Sequence, residues 1–178
     1  MKQDLQIRTS IMTLQALMMH GVENGELEDN TNDTELEHFF TPLDSDYGCS
    51  TYARQLFMPK GMVVVGKLHK KPHLTFLMKG TILVVSENGG KQRLTGPMTF
   101  VSPAGAKRVF YIEEDTILTT VHLTRETKED DLDKVEDEVI SPTYEAMGLE
   151  EPDLSGLNAF LEAQTSDDLG DLTNDQDT

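Results

Sequence analysis

Apolar positions change their spacing twice along this chain. Near the start they recur three or four apart, at Ile7, Ile11, Leu14 and Met18 with Leu17 alongside, which predicts a short amphipathic helix. Gly21 is placed to end it, ahead of the turn-rich stretch Glu23–Asp33. From about Leu36 to Thr124 the spacing falls to two, and β-branched and aromatic residues dominate. The predicted strands are Glu37–Phe40, Thr51–Met58, Met62–His69, Leu74–Met78, Thr81–Ser86, Gln92–Thr95, Thr99–Ser102, Arg108–Ile112 and Ile117–Leu123. Pro and Gly clusters separate them, and Glu87–Gly90 reads as a hairpin loop. Thr51–Met58 is expected at a sheet edge. After Arg125 helical spacing returns. Leu132, Val135 and Val139 predict a short acidic helix that ends at Ile140 before Pro142. Leu157, Phe160 and Leu161 form a second, smaller apolar stripe, while 165–178 carry five Asp and read as disordered.

Many short strands with no helix between them predict a mainly β protein, an antiparallel sandwich or barrel. The expected organisation is a helical arm and acidic linker over 1–35, a β-barrel over 36–124 and an acidic extension over 125–178. Composition narrows the class further. At 178 residues and 37% hydrophobic, the chain holds one modest core. A lone Cys49 excludes internal disulfides and a Cys-based zinc module. No apolar run approaches the ~20 residues of a membrane span, and the first residues lack the apolar block of a signal peptide.

The formal net charge of −17 is unevenly spread. Two basic residues face ten acidic ones through Asp46, ten face four from Tyr47 to Thr124, and three face eighteen beyond. A basic body thus lies between two acidic ends. Such ends either stay solvated or dock on basic surfaces, this domain's own or a neighbour's. The overall anionic character excludes non-specific nucleic-acid binding.

His69, His73 and His122 are the candidate chemistry. The first two straddle a strand end and the turn Lys70-Lys71-Pro72, and His122 shares a strand face with Leu118 and Thr120. If that face points inward, three neutral imidazoles converge and suit Zn, Fe, Mn or Ni. The alternative is a set of histidines that only hydrogen-bond within a small polar cavity.

Gly61, Lys67, His69, His73 and Gly80 keep the spacing of the first motif of the cupin family, and Gly96, Pro103, Gly105 and Arg108 resemble the second with one extra residue. The resemblance spans about Leu36–Thr124 and implies a jelly roll, or double-stranded β-helix. Metal-binding cupins place two His, a Glu and a later His where this chain has Lys67, His69, His73 and Arg108. Either a shifted His69/His73/His122 site holds a divalent transition metal, or Lys67 and Arg108 bind a small anion.

A narrower similarity, over about Leu36–Ile140, is to small cupin-like proteins of tailed phages and prophages. It implies a phage setting, in the host cytoplasm during infection or in the virion, with no settled activity.

Three roles follow as expectations. The favoured one is a non-enzymatic binding or assembly protein, a homo-oligomer or virion component that docks through Ile11, Leu14, Met18, Leu157, Phe160 and Leu161. The second is a metal-dependent isomerase, lyase or dioxygenase, with Tyr111 or Arg108 as acid or clamp. The third is a metal-free anion sensor.

Overall fold

A computed structural model describes residues 2–87 and 89–161. The elements run α1 (Lys2–Glu23), β1 (Glu35–Phe40), β2 (Ser50–Met58), β3 (Val63–Val65), β4 (Leu68–His69), β5 (His73–Lys79) and β6 (Thr81–Ser86). They continue with β7 (Gly90–Thr95), β8 (Met98–Ser102), β9 (Arg108–Ile112), β10 (Thr116–Thr124), α2 (Leu132–Val139) and β11 (Ile140–Ser141). Residues 155–161 are helical. The expectations made for 165–178 lie outside the described residues.

Every strand pairing is antiparallel. One sheet has the order β1-β2-β10-β5-β8 and the other β3-β9-β6-β7. The pairs β2/β10, β3/β9, β5/β8 and β6/β7 are nested, as in one long hairpin rolled upon itself, and this is the strand order of a jelly roll. The core lies between the sheets. Met58, Leu77, Ile82, Ile112 and Leu118 are buried there, with Leu56, Val64 and Phe110 packed against them. Each such side chain is worth about 1.5–3 kcal/mol of burial.

Tight turns join these strands, and Gly80 shows why one of them needs glycine. Its φ is +92°, and an added Cβ would lie 2.6 Å from the Asp115 carbonyl oxygen.

Three expectations need correction. The stretch Met62–His69 is not one strand. Val63–Val65 pairs with β9, the chain leaves that sheet at Gly66, and Leu68–His69 pairs instead with Ile140–Ser141. Thr51–Met58 is not an edge, because β1 covers it, and the edges of that sheet are β1 and β8. The first helix ends beyond Gly21. Gly25, at φ +74°, takes the left-handed position; its N–H donates to Val22 O at 3.1 Å, and Glu26 N–H donates to Gly21 O at 2.8 Å.

Both extensions are tied to the barrel through Glu87, at the tip of the β6–β7 hairpin. Its buried carboxylate accepts bonds from Arg8 Nε at 3.1 Å and Arg8 Nη2 at 2.8 Å on one oxygen, and from Tyr144 Oη at 2.6 Å on the other. The Arg8 guanidinium also stacks 4.2 Å from the Tyr144 ring centroid and donates to the Glu150 carbonyl. Glu151 in turn accepts the Tyr144 and Glu145 N–H groups at 2.7 and 3.0 Å. Further along α1, His20 Nε2 meets the Leu161 carbonyl at 3.3 Å. No described helix is long and apolar enough to cross a membrane.

Removing one partner of this network leaves a buried charge uncompensated. Arg8→Ala is expected to cost about 3–5 kcal/mol, and Tyr144→Phe about 1–3 kcal/mol. Chemical denaturation of the two variants checks this; an Arg8→Ala curve that overlays the wild type would show that Glu87 does not hold the extensions.

Candidate metal and anion site

Period-two alternation decides what faces the interior of the barrel. On β10 the inward residues are Leu118, Thr120 and His122; on β5 they are His73, Thr75 and Leu77. His69 ends β4, across the Lys70–Pro72 turn from His73. The three imidazoles meet, with ring centroids 4.2 Å apart for His69–His73, 4.5 Å for His73–His122 and 5.0 Å for His69–His122. One ring nitrogen from each can be chosen so that all three lie within 4.8 Å of one another.

Their protonation suits ligation. Burial pushes His69 down to about 3, with His73, His122, Arg54 and Arg108 adding repulsion in that order. Burial likewise brings His122 to about 4 and lowers His73. All three are neutral at pH 7. His73 Nδ1–H donates to the Lys71 carbonyl at 3.3 Å, a bond that leaves the Nε2 lone pair available. His69 Nδ1 is buried with no hydrogen-bond partner among the described residues. An orphaned ring nitrogen amid three neutral imidazoles fits a divalent transition metal.

His69 and His73 stand at one end of a cavity of about 200 Å³, which His122 does not line. The other end is the apolar core, with Leu56, Met58, Leu118 and Phe110 as its floor. Arg54, Lys67 and Arg108 also line the cavity, and among the described residues no Asp or Glu does. Arg108 lies 6.0 Å from the Phe100 ring centroid, and burial lowers its pKa.

The acidic extension covers the histidine end. Val135 and Val139 of α2 pack on Tyr52, Lys70 N–H donates to Val139 O at 2.8 Å, and Ile140 pairs with His69. A second cavity of about 290 Å³ lies beneath α2 and shares Arg54, Lys67 and His69 with the first. Tyr52 continues the aromatic cluster, stacked between His122 and His38, and bonded to His38 Nδ1 at 2.8 Å.

The sequence-derived candidates are placed as follows. His69, His73 and His122 come together. Arg108 is in the cavity; Lys67 lines it too, but its ammonium pairs with Glu136 of α2. Tyr111 is exposed on the outward side of β9 and lines neither cavity. Ile11 and Leu161 are buried within the chain, Leu14, Met18 and Leu157 are half-buried, and Phe160 is 57% exposed. Leu17, grouped with the first stripe, is exposed.

Arg54 was missed. The available signal was an arginine at an inward alternate of β2, between Tyr52 and Leu56, where an apolar residue is the rule.

No protein-family model matches the chain, and no curated protein matches it. Among solved structures it is similar to KdgF from Halomonas sp., at 19% identity and TM-score 0.43, over 61% of this chain and 95% of that one. It is also similar to the Cnp3 cupin domain of Schizosaccharomyces pombe, at 19% identity and TM-score 0.41, over 60% and 68% of the two chains. A cupin superfamily protein from Desulfitobacterium hafniense aligns at 11% identity and TM-score 0.39, over 56% and 84%. The jelly-roll class of this protein stands on its own strand order.

The depressed histidines make the metal-free fold acid-sensitive. Between the unfolded pKa of 6.5 and the folded values of about 3 and 4, the unfolded chain binds more protons. Stability is therefore full above pH 6.5 and falls as pH drops below it, by at most about 1.4 kcal/mol per pH unit for each histidine. Denaturation of chelator-treated protein from pH 7.5 to about 4.5 should show this loss, and His122→Gln should flatten it. An unchanged slope in the variant contradicts the assigned burial.

Proposed function

We propose that this chain is a metal-dependent small-molecule protein of cupin type. His69, His73 and His122 hold one divalent transition metal at the end of the barrel that α2 overlies. The observation that carries the reading is the convergence of three neutral imidazoles, two of them buried and the third, His69, with a buried Nδ1 that has no hydrogen-bond partner among the described residues. The ligand set differs from the cupin pattern in the resemblance described above. His73 stands in for the carboxylate and His122, from the last barrel strand, completes the trio.

A bound metal would supply Lewis acidity beside the cavity. The chain's own residues do the rest. Arg54 and Arg108 set the charge of the space, Phe100 and Phe110 shape it, and α2 lies over the histidine end.

The test is elemental analysis of full-length protein equilibrated with Zn²⁺, Mn²⁺ or Ni²⁺ and then desalted. About one ion per chain is expected, falling to background in the His69→Ala/His73→Ala double variant. A folded wild type that retains no metal under any of the three conditions contradicts the reading.

A second reading, a homo-oligomeric assembly protein, is favoured by the outer face of the five-stranded sheet. Phe39, Ala53, Val121, Leu74 and Val101 share one register row across all five strands. Leu123 and Val101 are 68% and 65% exposed. The outward alternates on β2, β8 and β10 are all uncharged, and on β5 only Lys79, at the strand's end, carries a charge. In a chain of net charge −17, two copies that meet on the β2, β10, β5 and β8 part of this face keep the carboxylates Glu35 and Glu37 of β1 at its margin. The phage or virion setting belongs with this reading and rests on the sequence resemblance.

Light scattering after size exclusion is expected to give a dimer that Val101→Glu/Leu123→Glu converts to monomer. A monomeric wild type at tens of micromolar would count against the face as a self-interface.

A further inference from the structure

We infer that the barrel cavity binds a small organic carboxylate, its head held by Arg54 and Arg108 beside the imidazoles and its apolar body lying on the floor of Met58, Leu118 and Phe110. This rests on reading the cavity as a ligand site, but it does not require the metal.

Charge is the first argument. The chain has 32 Asp and Glu residues, yet none of those among the described residues lines this cavity, while two arginines do. Among the described residues neither Arg54 nor Arg108 makes an ion pair, whereas Arg8, Arg93, Lys67 and Lys134 all do. A guanidinium withdrawn from water without a counter-charge is costly, and burial lowers the Arg108 pKa accordingly. Lys67 has its own carboxylate in Glu136. The available cations are therefore the two arginines, whose planar forks match a carboxylate's two oxygens.

Shape and polarity are the second argument. Leu56, Met58, Leu118 and Phe110 form an apolar floor opposite the cationic end. An inorganic anion would satisfy the arginines and leave that floor uncovered. The cavity, at about 200 Å³, suits a molecule of about ten non-hydrogen atoms; a dry cavity of about 150 Å³ in another protein holds benzene. A divalent ion on the histidines would add positive charge to a space that lacks any carboxylate, so the anion also balances the metal when both are present.

The experiment is calorimetric titration of full-length, chelator-treated protein with benzoate, butanoate, benzamide and inorganic phosphate, repeated after zinc loading. Benzoate or butanoate should bind the metal-free protein saturably. Benzamide, similar in shape but uncharged, should bind at least tenfold more weakly than benzoate, and phosphate should bind more weakly than either carboxylate. Arg54→Lys and Arg108→Lys keep the positive charge but lose the fork. Each should weaken carboxylate binding at least fivefold with melting temperature and zinc content unchanged.

The inference is overturned if neither carboxylate saturates, if benzamide matches benzoate, if phosphate binds best, or if the lysine variants bind as the wild type does. Carboxylate binding with no retained zinc would instead overturn the metal reading and leave this one standing.

Discussion

Glu87 sits on a hairpin tip where a sequence reading expects solvent, and its carboxylate is buried. A carboxylate taken out of water costs several kcal/mol unless it is paired and hydrogen-bonded. Arg8 and Tyr144 meet that need, one from each extension. Barrel, amino-terminal helix and carboxy-terminal segment are thereby joined at one point. The consequence reaches the site, because the chain between β10 and Tyr144 contains α2 and β11. With Tyr144 anchored, Ile140 lies against His69 and Val135 and Val139 lie on Tyr52. The shielding of the histidines follows from this tether.

That shielding sets the electrostatics. Burial keeps the three imidazoles neutral, and the nearby arginines reinforce it by repulsion. The same arginines work against a bare metal ion. An uncompensated divalent charge beside two guanidinium groups is unfavourable unless an anion accompanies it. The described part of the acidic extension, 125–161, does not supply that anion within the barrel. Glu136 reaches only Lys67, at the boundary between the two cavities, and Asp133 lines the outer one. Among the described residues, the acidic groups of α2 and the cationic cavity are thus separate electrostatic regions. Net charge alone would have hidden the second.

The strands were readable because half-buried strands impose a period of two, and Pro and Gly mark their ends. Eight of the nine predicted strands correspond to one observed element each, to within a few residues. The ninth, Met62–His69, divided because Leu68–His69 has its hydrogen-bond partners in β11, more than seventy residues away. Local patterning carries no information about such a partner. The histidine trio was legible through strand-face geometry, and Arg108 through motif spacing. Arg54 and Glu87 were not, for one shared reason: each is a charged residue at a position whose burial depends on distant packing. Lys67 shows the converse, a residue in the right place whose charge is already matched by a helix that sequence spacing could not dock.

The proposed metal ion would sit among the three imidazoles at the end of the barrel that α2 overlies. Anomalous diffraction from crystals grown with Zn²⁺ or Ni²⁺, recorded on both sides of the absorption edge, tests it most directly. The account predicts one strong peak within bonding distance of a ring nitrogen from each of His69, His73 and His122. Peaks confined to the acidic surface, with the space between those rings empty, would contradict it.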